Sequence, residues 1–173
     1  MSTIDDAFIQ EMVEIALRVS IAIDGGDFPD VHTWLDYWRE EKIEFDRAWD
    51  RWQHEVRYDT ESDVGIRAYV DLLMEAADLL YVGVCLHIRE LDAHLELLPA
   101  TLDFYQLPID AVKTVCRRKY SMRASGDRNP TKEFAACAHA LGFGYWAGRW
   151  RNGSLAHTFS QHKKLVGVQE AYK

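Results

Sequence analysis

Two segments of this chain carry the spacing of an amphipathic helix and place carboxylates where core residues belong. Trp34, Trp38, Glu41, Phe45, Ala48 and Trp52 recur along one helical face, which Glu41 interrupts, with Glu44 one turn further on. Ala68, Leu72, Glu75, Leu79, Val82 and Leu86 form a second such face, polar only at Glu75, with Asp78 one turn along. Acids facing a shared apolar interior must bind protons, pair with Lys or Arg, or hold a cation. Oxygen donors alone select a hard ion. Magnesium, which accepts a few carboxylates together with waters and phosphate oxygens, suits four acids better than zinc. The plain alternative is a pair of solvated acidic helix faces, a reading that each cluster alone favours and the two apolar stripes together disfavour.

At 173 residues the chain is expected to form one domain with a sizeable core. Frequent Ala, Leu and Glu and only four prolines point to an all-α fold. The start of the chain carries Asp5 and Asp6 where a leader would be basic, and no apolar run reaches the length of a membrane span. Cys85, Cys116 and Cys137 have no CxxC spacing and read as reduced, buried thiols, so a cytoplasmic protein is expected. The Asn152-Gly153-Ser154 sequon then reads as an Asn-Gly turn. Charge is divided: residues 1–103 hold 24 acids and 8 bases, net −16, whereas residues 104–173 hold 4 acids and 12 bases, net +8. That division argues against stable nucleic-acid binding and suits a polyphosphate bridging an acidic metal site and a basic segment.

About five helices are expected. The first covers residues 4–23, with Ser2 or Thr3 as cap, and Gly25-Gly26 and Pro29 break it. A second spans roughly 31–57, and a third starts near Ser62 or Asp63 and runs to about Leu98, so that Pro99 and Pro108 bracket a connection. A fourth covers Ile109 to about Met122, and a fifth Thr131 to about Leu141. Residues 142–173 read as an irregular extension whose Trp146 and Trp150 need burial, against a neighbouring subunit for instance. Gly142, Gly144 and Gly148 make no dinucleotide-binding loop.

The fourth helix sets Val112, Cys116, Lys119 and Arg123 on one face, and six bases fall between Arg117 and Lys132. A basic helix end followed by the Gly126-Asp127-Arg128-Asn129 loop can bind phosphate oxygens through several donors. With these residues in hand, the chain resembles the all-α nucleoside triphosphate pyrophosphohydrolases that include MazG, HisE, dCTP pyrophosphatase and the dimeric dUTPases. Glu40-Glu41-Lys42-Ile43-Glu44 is similar to that family's EExxE and Glu75-Ala76-Ala77-Asp78 to its ExxD, in order and on successive helices. Lys119-Tyr120-Ser121-Met122-Arg123 is similar to its later basic segment, and the likeness covers roughly residues 5–132. The gap between the acidic motifs is long for the family, and the chain after Arg149 matches none of its pattern.

The resemblance implies a MazG-type helical bundle completed by oligomerisation as a dimer or tetramer. It implies Mg2+, with Mn2+ as a substitute, held by Glu41, Glu44, Glu75 and Asp78, and Glu40 supporting the metal or orienting the attacking water. It implies hydrolysis of a nucleoside triphosphate to monophosphate and pyrophosphate, the phosphates bound by Lys119 and Arg123 and, as second choices, Lys113 and Arg117 or Arg118. For the base, Trp34 and Trp38 offer stacking surfaces, and Asp24, Asp27 or His32 could read an edge. Family members are pyrimidine-specific, promiscuous or guanine-directed, the last including phage MazZ enzymes, so a guanine triphosphate and dUTP or dCTP are both open substrates. The non-enzymatic alternative is an acidic helical interaction protein. On the enzyme reading, Glu44→Gln or Asp78→Asn abolishes turnover and leaves the fold intact or slightly more stable. No ExxH occurs, which argues against a di-iron bundle, and the His87/His94 and His157/His162 pairs lack zinc-helix spacing.

Overall fold

The computed structural model of the protein describes residues 4–23, 25–56 and 63–143, and no strand occurs among them. Six helices follow in order: α1 (Asp6–Ile23), α2 (Val31–Val56), α3 (Asp63–Ile88), α4 (Ala93–Phe104), α5 (Ile109–Ala124) and α6 (Pro130–Ala140). None of them is long and apolar enough to cross a membrane. The all-α expectation holds. The expected extension, with Trp146 and Trp150, lies outside the described residues from residue 144 onward.

α3 is the centre of the bundle. From Leu72 to Leu86 every residue but Glu75 is buried, as in a helix apolar all round, and it packs on α1, α2, α4, α5 and α6. α2 runs antiparallel along it, with Trp34 beside Tyr81 (ring centroids 6.2 Å) and Trp52 beside Tyr69 (5.1 Å). Polar contacts mark both ends of this pair. Arg51 of α2 bonds Asp71 of α3 at 2.7 Å. At the far end, Arg89 donates to the carbonyls of Phe28 and Pro29, at 2.5 and 2.9 Å, immediately before α2 begins.

Side-chain caps start three of the helices. Asp5 accepts the Phe8 N–H at 2.9 Å and caps α1 in place of the expected Ser2 or Thr3. Asp30 accepts both the N–H and the hydroxyl of Thr33 at 2.9 Å, opening α2. Asn129 accepts from the N–H groups of Thr131 and Lys132 at 3.0 and 3.1 Å, with Pro130 in the first turn of α6.

The expected third helix to Leu98 is in fact two. α3 stops at Ile88, Glu90 turns left-handed at φ 65°, and the Leu91 N–H reaches back to the Leu86 carbonyl at 2.9 Å. This is a Schellman closure with Glu where glycine is usual. Pro99, expected to bound a connection, lies inside α4. Its ring removes one helical hydrogen bond, and the buried Leu95, Leu98 and Leu102 hold the helix across the gap.

Candidate metal and anion site

A cavity of about 600 Å³ is lined by residues of α2, α3, α5, α6 and the α5–α6 loop. Antiparallel packing of α2 on α3 brings the two acidic turns together on one side. Glu41, Glu75 and Asp78 each offer an oxygen within 4.8 Å of the other two, a set that could hold a cation. Glu41 and Glu75 each keep one oxygen, Oε2, buried with no hydrogen-bond partner. Burial, reinforced by the neighbouring Asp78 and other carboxylates, pushes Glu41 up to about 8 and Glu75 up to about 9. Glu44 lines the same cavity but is exposed.

Asp78 is in a different state from its neighbours. Lys119 donates to both of its oxygens, at 2.7 and 3.0 Å, and the Tyr120 hydroxyl donates to Oδ1 at 2.6 Å. All three side chains are buried. Burial alone would lower the Lys119 pKa, and the Asp78 carboxylate more than reverses this and holds it above its ordinary value. The Tyr120 ring lies flat on Tyr81, centroids 3.6 Å apart and planes within 4°. Burial first, then Asp78, pushes its phenol well above the ordinary range, so it stays a hydrogen-bond donor.

The cavity lining is basic as well as acidic. Lys119, Arg123 and Arg128 belong to it, with Arg123 Nε bonded to the buried Glu133 at 3.2 and 3.3 Å. Met74, Pro130 and Phe134 add apolar edges. A space lined by carboxylates together with guanidinium and ammonium groups fits a cation bound together with a multiply charged anion.

Of the residues singled out from sequence, Glu41, Glu44, Glu75, Asp78, Lys119 and Arg123 share this cavity. Glu40 is exposed and is not among its lining residues. Lys113 and Arg117 point elsewhere, over the Phe8 ring of α1, where Arg117 also bonds Glu11 at 3.0 Å. Trp34 is buried beside Phe28, Tyr37 and Tyr81, and Trp38 sits edge-on to His94 at 4.9 Å. Asp27 and His32 are exposed, and none of these four lines the cavity. Asp24 lies outside the described residues.

Arg128, Tyr120 and Glu133 were not among the assigned site residues. The loop containing Arg128 carried a signal, its run of polar and basic residues after α5. Glu133 carried none, because its role depends on α6 folding back toward Arg123. The expectation that Asp78→Asn spares the fold conflicts with this geometry, since Asp78 is the counter-charge of a buried lysine. A neutral substitution is tolerated instead at Glu41 and Glu75, whose carboxyls are pushed up first by burial and then by neighbouring acids. No protein-family model, curated protein or solved structure matches this chain.

Proposed function

We propose that the chain is a divalent-cation-dependent nucleoside triphosphate pyrophosphohydrolase, yielding a nucleoside monophosphate and pyrophosphate, of the MazG-like all-α kind its motifs resemble. One observation carries this reading: the acids Glu41, Glu75 and Asp78 and the bases Lys119, Arg123 and Arg128 line a single cavity.

The donor set fits Mg2+ or Mn2+. The partnerless Oε2 atoms of Glu41 and Glu75 and the carboxylate of Asp78 would hold it. A bound cation supplies Lewis-acid charge against the phosphate oxygens and lowers the pKa of water near it. Arg123 and Arg128 bind the β- and γ-phosphate oxygens and fix the chain in line, and Lys119 neutralises charge that grows on the leaving pyrophosphate. Glu44, exposed at the cavity, takes the water-orienting and proton-accepting role that the motif alone had suggested for Glu40. Water attacks the α-phosphorus, the bond to the bridging oxygen breaks, and the water's proton goes to Glu44. Exposed apolar side chains, Phe104 at 81% and Leu97 at 65%, support a homo-oligomer.

The closed Lys119–Asp78–Tyr120 network favours one competing reading, a non-catalytic helical protein whose acids are structural. The test is a panel of ribo- and deoxyribonucleoside triphosphates, guanine and pyrimidine bases included, with Mg2+ or Mn2+ and with chelator. Chelator-sensitive release of monophosphate and pyrophosphate is expected, and the fastest substrate gives the base. No turnover of any triphosphate by protein that binds the cation would leave the non-catalytic reading.

A further inference from the structure

Asp78 has donors before any cation arrives, Lys119 to both of its oxygens and Tyr120 to one, whereas Glu41 and Glu75 each keep a buried Oε2 without a partner. Counting lone pairs makes the difference concrete. Oδ1 accepts from both Lys119 and Tyr120 and is full, and Oδ2 accepts from Lys119 at 3.0 Å. The two donors are not equivalent. The Lys119 ammonium carries a full charge, is held in a buried site, and stands against one of the three groups that would bind a dication, so the two cations repel across a few ångströms. The Tyr120 hydroxyl is neutral and offers no such repulsion. Its ring cannot turn away, because it is clamped flat on Tyr81 of α3, three residues along from Asp78 on the same helix.

We propose that Lys119 holds the cation's place on Asp78 and swings away when a cation binds, while Tyr120 stays and is the positioning residue that orients the Asp78 carboxylate. This rests on the metal reading of the site given above. The exchange serves the second ligand, too. The ammonium released from Asp78 stays within the cavity, whose lining already includes Arg123 and Arg128, and is then available to an anion. Cation binding thereby prepares the anion site, and the two ligands bind with positive coupling. Without the cation, Lys119 keeps Asp78 neutralised and the core folded.

The two residues therefore have opposite signs in a binding experiment that needs no turnover. Mn2+ affinity is measured by electron paramagnetic resonance or calorimetry on the full chain and on Tyr120→Phe, Lys119→Met and Lys119→Gln, with helical content checked by circular dichroism. Tyr120→Phe keeps the ring stack and is expected to weaken Mn2+ binding by about 10- to 100-fold, the usual cost of losing a group that orients a ligand. Both Lys119 variants are expected to tighten it by about tenfold, since a competing charge is gone. In melts, Lys119→Met unfolds at lower temperature than the unsubstituted protein in chelator and recovers in Mn2+. Lys119 and Tyr120 variants that shift affinity in the same direction, or not at all, overturn the proposal while leaving the metal site standing. An unsubstituted protein that binds no Mn2+ overturns the metal reading itself, and this proposal with it.

Discussion

Lys119 on α5 sets its ammonium 2.7 Å from a carboxylate oxygen of Asp78 on α3, and both side chains are about nine-tenths buried. The pair is thus a structural element of the core as well as part of the cavity wall, and that double role separates Asp78 from the other acids.

Substitution of the acids should divide accordingly. Asp78→Asn leaves a buried ammonium without its counter-charge and is expected to cost about 3–5 kcal/mol of stability. Glu75→Gln removes a carboxyl that burial already keeps protonated and should leave stability unchanged or raised. Both should reduce pyrophosphate release by about a hundredfold or more. Urea denaturation beside turnover checks this, and equal destabilisation by the two substitutions would count against it.

The raised carboxyls make the metal-free protein sensitive to alkali. Glu41 and Glu75 bind protons more tightly folded, with values about 8 and about 9, than at the ordinary 4.5 of an unfolded chain. Between those limits unfolding releases protons, so stability falls as pH rises. Their contribution is fully present below about pH 4.5, declines through the window and levels off above pH 9. Denaturant melts in chelator from pH 5 to 9 should show this slope, and Glu75→Gln should flatten it. A variant that tracks the unsubstituted protein at every pH would refute the assignment.

The basic residues should also separate. Arg128 lines the cavity, and Arg128→Ala is expected to raise KM for a triphosphate about tenfold, the loss of one charge-assisted contact. Arg117 faces α1 and Glu11 instead, so Arg117→Ala should leave KM unchanged and cost at most about 1 kcal/mol of stability. Steady-state kinetics on the pair decides the point, and a raised KM for Arg117→Ala would move the anion site.

Helix ends show why part of this architecture was readable from sequence and part was not. Four helices close with the same backward hydrogen bond, from Leu91 to Leu86, Leu107 to Leu102, Asp127 to Met122 and Phe143 to Ala138. Two of these turns use glycine, at Gly126 and Gly142, and both were placed from sequence within a few residues. The other two use Glu90 and Gln106 at φ 65° and 56°, where a side chain tolerates the left-handed region at a cost of about 1–2 kcal/mol that packing offsets. No local pattern marks Glu90, so α3 and the first part of α4 read as one helix, whereas Pro108 follows Gln106 by two residues and marks a break there. The acidic set was visible for the converse reason, since a carboxylate on an apolar stripe departs from a strong periodicity. The failure of Lys113 and Arg117 to join Lys119 follows from helical angle, since they lie six and two residues before it and so on another side of α5.

Two apolar helices can slide past one another by a turn, about 5.4 Å, and still bury much the same hydrocarbon. Apolar burial is non-directional and by itself discriminates weakly among such alignments. Arg89 gripping the Phe28 and Pro29 carbonyls at one end, and Arg51 gripping Asp71 at the other, act as stops on a sliding scale. Between them Glu41 comes opposite Glu75 and Asp78. The alignment of the acids is therefore written in contacts that flank them, one at Arg89, which is not among the cavity's lining residues, and one at Asp71, which is.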